Sequence, residues 1–121
     1  MAVILLIEDN SDLRENTAEL LELKGYDVIT AIHGKEGLAI ALRQIPDLII
    51  CDVRMPELDG FGVLEAVRSD NSTKEIPFIF CTASAQRSEI EAGLVAGAVS
   101  YVTKPFNEED LYLEIERLLG E

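Results

Sequence analysis

Four short apolar runs in this chain, at 2–7, 48–51, 78–81 and 99–102, each end in polar residues of a different chemical kind: Glu8-Asp9, Asp52, Thr82 and Thr103-Lys104. Runs this short and unbroken suit strands buried on both faces, and the segments between them carry apolar residues at helical spacing, the pattern of βα repetition. If the runs are parallel strands of one sheet, carboxylates, a hydroxyl and an ammonium all leave it at the same edge. Open α/β sheets place their sites at that edge.

Five βα units fit. After the first run, Leu13, Thr17, Leu20, Leu21 and Lys24 keep helical spacing until Gly25 stops the helix. The stretch 26–31 includes Asp27 and Thr30, which suits an edge strand with one wetter face. Its helix follows through Leu38, Ala41, Leu42 and Ile45. The third unit pairs a strand at 47–52 with a helix near 61–68, joined by Met55-Pro56-Glu57-Leu58-Asp59-Gly60, whose Pro and Asp-Gly are turn chemistry. The fourth pairs a strand at 77–82 with a helix near 86–96; Gly93 inside it costs roughly 1 kcal/mol against Ala, so this helix is expected to be the loosest. The fifth runs from a strand at 98–103 to a helix capped by Asn107, with Glu108, Glu109 and Asp110 in a first turn where the helix dipole favours anions.

A chain of 121 residues suits one compact domain, 1–121, and 48% hydrophobic with 27% charged residues places it in the globular class. No apolar run approaches the roughly 20 residues of a membrane helix, and the N-terminus has no secretory pattern, so a cytoplasmic location away from membranes is expected. Ten basic against 23 acidic residues give a net charge of −13, which repels phosphate backbones and argues against direct nucleic-acid binding. Cys51 and Cys81 lie inside apolar runs and read as small buried hydrophobes. Each also sits one residue before a polar strand end, so the two thiols are expected on one face at similar height, where a reversible disulfide stays open. His33, in a strand-to-helix loop beside Gly34, reads as a surface histidine.

Glu8, Asp9 and Asp52 form the strongest candidate group. Carboxylates 4 Å apart repel by about 4 kcal/mol per pair at an effective dielectric near 20, so a cation is called for. Oxygen-only ligands with room for water suit Mg²⁺. Against this stands a plain alternative: within Glu8-Asp9-Asn10-Ser11-Asp12 the acids serve as helix caps, and Asp52 as a turn residue. Lys104 offers a point charge to a phosphoryl oxygen, while Pro105 restrains the loop and is able to adopt the cis form. Thr82 is a β-branched strand residue whose hydroxyl at a strand end can donate to an anion, and Tyr101 either packs inward or reaches water.

Taken in order and spacing over nearly the full length, Glu8-Asp9, Asp52-Val53-Arg54-Met55-Pro56 with Asp59-Gly60, Thr82-Ala83, Gly97-Ala98, Tyr101 and Lys104-Pro105-Phe106 resemble the receiver domain of two-component response regulators. The resemblance implies a flavodoxin-like, doubly wound α/β fold with a five-stranded parallel sheet in the order 2-1-3-4-5 and five helices. It implies Asp52 as phosphoacceptor, and Mg²⁺ held by Asp9, Asp52 and the backbone carbonyl of Arg54, with Glu8 bound through water. Lys104 would pair with the phosphoryl group, Thr82 would hydrogen-bond it, and Tyr101 would swing inward behind Thr82. Pro105 and Gly60 would be structural, and Arg54 and Ser84 would tune hydrolysis. Ser100 departs from the family, which often has Asp there.

The mechanism so implied is attack by an Asp52 oxygen on the phosphorus of a phosphohistidine or small phosphodonor, giving an acyl phosphate. Shifting a population from 1:99 to 99:1 takes about 5.5 kcal/mol, and charge-assisted hydrogen bonds contribute roughly 1.5–3 kcal/mol each, so two or three new contacts suffice. The readout face would be helix four, strand five and helix five. Its partners would be a sensor histidine kinase or phosphotransfer protein on one side, and a downstream target, an output domain or a phosphorylation-dependent second copy on the other. The chain would catalyse only its own phosphorylation and slow dephosphorylation. An aspartyl-phosphate hydrolase would want a second acid where Arg54 stands. A flavin or nucleotide binder would want a phosphate cradle where Glu8-Asp9 repels phosphate. A phosphorylation-independent interaction module has no need of the full charged set.

Overall fold

The apolar runs do become strands, because each is too short for a helix and apolar on both alternating faces. With the wetter stretch at 27–31 they make five strands, β1 (Val3–Ile7), β2 (Asp27–Ala31), β3 (Leu48–Asp52), β4 (Phe78–Thr82) and β5 (Ser100–Thr103), all parallel and hydrogen-bonded in the order β2-β1-β3-β4-β5. The computed structural model of the chain describes residues 2–82, 100–103 and 107–120, the side chains at 82 and 103 excepted. Among the described residues the helices are α1 (Ser11–Leu23), α2 (Gly34–Gln44), α3 (Gly60–Ser69) and a C-terminal helix (Glu108–Leu119). The helix expected at 86–96, with its Gly93, lies outside the described residues.

Strand alternation divides the core in two. Leu5, Ile7, Ile49, Cys51, Phe78 and Phe80 pack under α2 and α3 with Val63, Leu64 and Val67. Ile4, Leu6, Leu48, Ile50, Ile79 and Cys81 pack on the other face against Leu21 of α1 and Leu111 and Ile115 of the C-terminal helix. β2 takes the edge position, with Asp27 and Thr30 exposed as expected. Tyr112 ties the C-terminal helix to α1 by donating its hydroxyl to the Leu20 carbonyl at 3.0 Å.

Local chemistry sets the helix ends. Gly25 takes φ 98°, a left-handed conformation that glycine adopts without a Cβ penalty, and α1 stops before it. Asn107 caps the C-terminal helix by accepting the Glu109 N–H at 2.8 Å. The exposed His33 has a task its loop position did not reveal. Its Nδ1 accepts the Glu36 N–H at 3.1 Å while Glu36 Oε1 accepts the Ile32 N–H at 2.9 Å, a reciprocal cap of α2.

Three expectations are corrected. The buried face of α2 consists of Gly34, Gly37, Ile40 and Ala41, whereas Leu42 and Ile45 are exposed. The helix presses its two glycines onto the sheet and the neighbouring loop, a close approach that larger side chains prevent. A Cβ on Gly37 would lie 2.4 Å from Cδ1 and 2.6 Å from Cγ1 of Ile7, and one on Gly34 would lie 2.3 Å from the Leu58 carbonyl oxygen. Lys24, expected on the α1 face, is its exposed C-cap. The two cysteines, expected on one face, lie on opposite faces of the sheet, because Cys81 is in register with Asp52 and Cys51 with Phe80. A one-residue offset between neighbouring strands reverses the side. Both thiols are free and buried, and this placement closes the disulfide reading.

Gly37→Ala should lower stability by about 1–2 kcal/mol in urea unfolding, because overpacking against the fully buried Ile7 outweighs the roughly 1 kcal/mol of helix propensity that Ala brings. The loss should shrink in an Ile7→Ala background, and equal losses in both backgrounds would show that the contact is not the cause.

Burial, then the nearby Asp52 and Glu8 carboxylates, push the Cys51 thiol well above the ordinary range. A raised acid adds stability below its unfolded value and loses it as pH rises toward its folded value. Stability should therefore fall as pH rises past the ordinary thiol range, because the unfolded chain releases this proton before the folded one does. Urea midpoints across alkaline pH should fall less steeply in Cys51→Ala; parallel slopes would rule the linkage out.

Candidate functional site

The β1–β3 register pairs Ile7 with Cys51, so the next residues, Glu8 and Asp52, emerge side by side at the C-terminal edge. By alternation both continue the row of Leu6 and Ile50, the face covered by α1. Glu8 still belongs to the ladder on its other side, its N–H donating to the Ala31 carbonyl at 3.0 Å. One carboxylate oxygen from each of Glu8, Asp9 and Asp52 lies within 4.8 Å of the others. Glu8 is 3% exposed and Asp52 9%, while Asp9 is open to water.

Capping does not account for this cluster. The cap of α1 is Asn10, whose Oδ1 accepts the Leu13 N–H at 3.0 Å, and Asp52 ends a strand rather than starting a helix. Glu8 does engage the turn, with Oε2 accepting the Asn10 N–H at 3.2 Å. The carboxylate pair nearest the sheet is buried, where mutual repulsion is screened least, whereas water weakens the contribution of Asp9. The set is all oxygen, partly buried and open on the Asp9 side, which fits a hard divalent cation that keeps some of its water. Cys51 adds no soft ligand, since its protonated thiol lies on the other face and donates to the Asp52 carbonyl at 3.2 Å.

The loop after β3 folds back over the strand end. Gly60 donates its N–H to the Val53 carbonyl at 2.8 Å, and a Cβ there would sit 2.4 Å from the Asp52 carbonyl oxygen, which is why glycine is required. Asp59 caps α3 by accepting the Gly62 N–H at 2.9 Å. Beside this loop Val53, Arg54, Met55, Pro56, Asp59 and Phe61 line an open cavity of about 580 Å³. The exposed Arg54 is on its wall.

Tyr101 is half-buried and packs inward, its ring 5.1 Å from that of Phe80. Phe80 is also 5.1 Å from Phe61 and from Phe78, so one buried ring joins the cavity wall to β5. The sequence singled out Tyr101 but showed Phe61, Phe78 and Phe80 only as separate apolar residues. Their meeting depends on the β3–β4–β5 register, which no local pattern contains. Thr82 ends β4 in register with Thr103. The Thr82 side chain, Ser84, Lys104 and Pro105 lie outside the described residues. Arg14 was also not singled out, although its Nη1 donates to the Glu8 carbonyl at 2.9 Å. Six residues across a strand-to-helix turn have no fixed geometry in sequence.

Known proteins of the same family share the sequence and the fold of this chain. The response regulator receiver domain pattern matches residues 4–116. The chain is 38% identical over 119 residues to the DNA-binding dual master transcriptional regulator RpaA of Synechocystis, covering 98% of this chain and 49% of RpaA. It is 36% identical over 116 residues to the probable transcriptional regulatory protein TcrX of Mycobacterium tuberculosis, covering 96% of this chain and 49% of TcrX. The chain thus spans about half the length of these relatives. Among solved structures it is similar to chemotaxis protein CheY4 of Vibrio cholerae, with a TM-score of 0.94, 35% identity and coverage of 98% and 99%. It is also similar to the receiver domain of the sensor histidine kinase PA1611 of Pseudomonas aeruginosa, a structure with a magnesium ion coordinated in its active site cleft, with a TM-score of 0.92, 32% identity and coverage of 99% and 98%. The chain belongs to the response regulator receiver domains, the phosphoaccepting switches of two-component signal transduction.

Proposed function

We propose that Asp52 is the residue that accepts the phosphoryl group. The observation that carries this reading is the gathering of Glu8, Asp9 and Asp52 within 4.8 Å at the C-terminal edge of the central strands, with Asp52 nearly enclosed. Glu8, Asp9 and Asp52, together with the backbone carbonyl of Arg54, would hold Mg²⁺. When bound, the ion neutralises charge among the acids and on the incoming phosphoryl oxygens.

An Asp52 carboxylate oxygen forms the new bond to phosphorus as the bond from phosphorus to the donor breaks, leaving an acyl phosphate on Asp52 and the electron pair on the donor. The donor is a phosphohistidine of a sensor kinase or phosphotransfer protein, or a small phosphodonor. The resemblance assigns Lys104 a point-charge contact with the phosphoryl group, Thr82 a hydroxyl hydrogen bond to it, and Pro105 a structural part. Tyr101 repacks beside Phe80, and the surface around β5 and the C-terminal helix carries the state to a target, an output domain or a second copy.

The relatives named as transcriptional regulators are about twice as long as this chain. With −13 net charge, these residues would leave any DNA contact to another segment or partner. A cytoplasmic site of action follows from the kinase partner, and among the described residues no helix is long and apolar enough to cross a membrane.

Incubation with acetyl phosphate and Mg²⁺ should add one phosphate to the wild-type mass and none to Asp52→Asn. An unmodified wild type would overturn the reading in favour of a phosphorylation-independent module. The resemblance assigns Arg54 and Ser84 the tuning of access by the hydrolytic water, and the exposed Arg54 lines the cavity beside the loop that follows Asp52. Arg54→Ala should change the acyl-phosphate lifetime severalfold, and an unchanged decay would remove Arg54 from that role.

A further inference from the structure

Beyond the four residues assigned to the metal, we infer that Arg14 is the positioning residue that holds two of their carboxylates in place. The inference rests on the reading that Glu8, Asp9 and Asp52 bind a divalent cation.

Glu8 is where β1 ends. Its N–H is the last backbone tie to β2, donating to the Ala31 carbonyl at 3.0 Å, and α1 begins only at Ser11. Between them the chain must turn while presenting Glu8 and Asp9 toward Asp52. The carbonyl of Glu8 belongs to the peptide unit joining Glu8 to Asp9, so whatever fixes that oxygen fixes the plane from which both side chains depart. Arg14 Nη1 donates to this oxygen at 2.9 Å from a half-buried side chain. Arg14 is itself seated in the first turns of α1, its N–H donating to the Asn10 carbonyl at 2.9 Å, while Asn10 caps the helix and donates its own N–H to Glu8 Oε2 at 3.2 Å. The helix start and the two acids are therefore one hydrogen-bonded unit, with the guanidinium as its lock. Such partners of metal-binding carboxylates orient them and hold them together against their repulsion, and losing one typically costs 10–100-fold in metal affinity.

Positioning and simple charge predict opposite signs. Arg14 is a cation beside an acidic site, so if it acted only through its field, removing it would tighten Mg²⁺ binding. If it positions the Glu8–Asp9 peptide, removing it weakens binding although the site becomes more negative.

Calorimetric titration of Mg²⁺ into wild type, Arg14→Gln and Arg14→Lys, with urea unfolding of each to confirm folding, separates the two. About 10-fold weaker binding is expected in Arg14→Gln, with most of it recovered in Arg14→Lys, which keeps a cationic donor on a long stem. Should Arg14→Gln not fold, Arg14→Met retains the apolar stem and takes its place. Binding in the neutral variant equal to or tighter than wild type overturns the inference and leaves the metal site standing. Weakening that Lys does not relieve also overturns it. Absence of Mg²⁺ binding in wild type overturns the metal site itself, and the role of Arg14 with it.

Discussion

The register between β1 and β3 is the constraint on which the site depends. Because Ile7 stands opposite Cys51, the two strands run out together, and the first polar residue of each arrives at the same height on the same face. A slip of one residue would send Asp52 to the α2–α3 face and leave Glu8 facing α1, separating the acids by the thickness of the sheet. The apolar content of both faces prevents that slip. Ile4, Leu6, Leu48 and Ile50 on one side and Leu5, Ile7, Ile49 and Cys51 on the other are all buried, so the alignment that packs the core also assembles the carboxylates.

Close approach completes the arrangement from the other side. Gly34 and Gly37 let α2 settle against Leu58 and Ile7, and Gly60 lets the loop after β3 lie on the Asp52 carbonyl. The same loop carries Arg54 to the cavity wall beside Phe61. Phe61 touches Phe80, and Phe80 touches Tyr101 on β5, so the cavity wall and the far edge of the sheet share a packed aromatic row on the α2–α3 face. Tightly packed rings transmit displacement because close-packed interiors have little free volume to absorb it.

Much of this is legible in the sequence. Unbroken apolar runs of strand length can be buried only in a covered parallel sheet, and Glu8, Asp9 and Asp52 stood at their ends. The misreadings share one cause, since each needed a relation between segments. The buried side of α2 followed from the reach of Ile7 toward Gly37, where side-chain hydrophobicity pointed instead to Leu42 and Ile45. The side of Cys81 followed from its pairing with Asp52. His33 and Arg14 gained their roles from the directions in which the chain turns into α2 and α1.

By itself, then, the order of residues determined the element types, the edge strand with Asp27 and Thr30, and the identity of the acids, because apolar period and composition are local properties of the chain. Only the tertiary structure decided which face each strand end occupies, which glycines admit a neighbour, and that a guanidinium reaches the Glu8 carbonyl. Those are distances between parts of the chain far apart in sequence or joined by irregular turns. They are set when packing selects one register and one helix rotation from several that local preference allows equally.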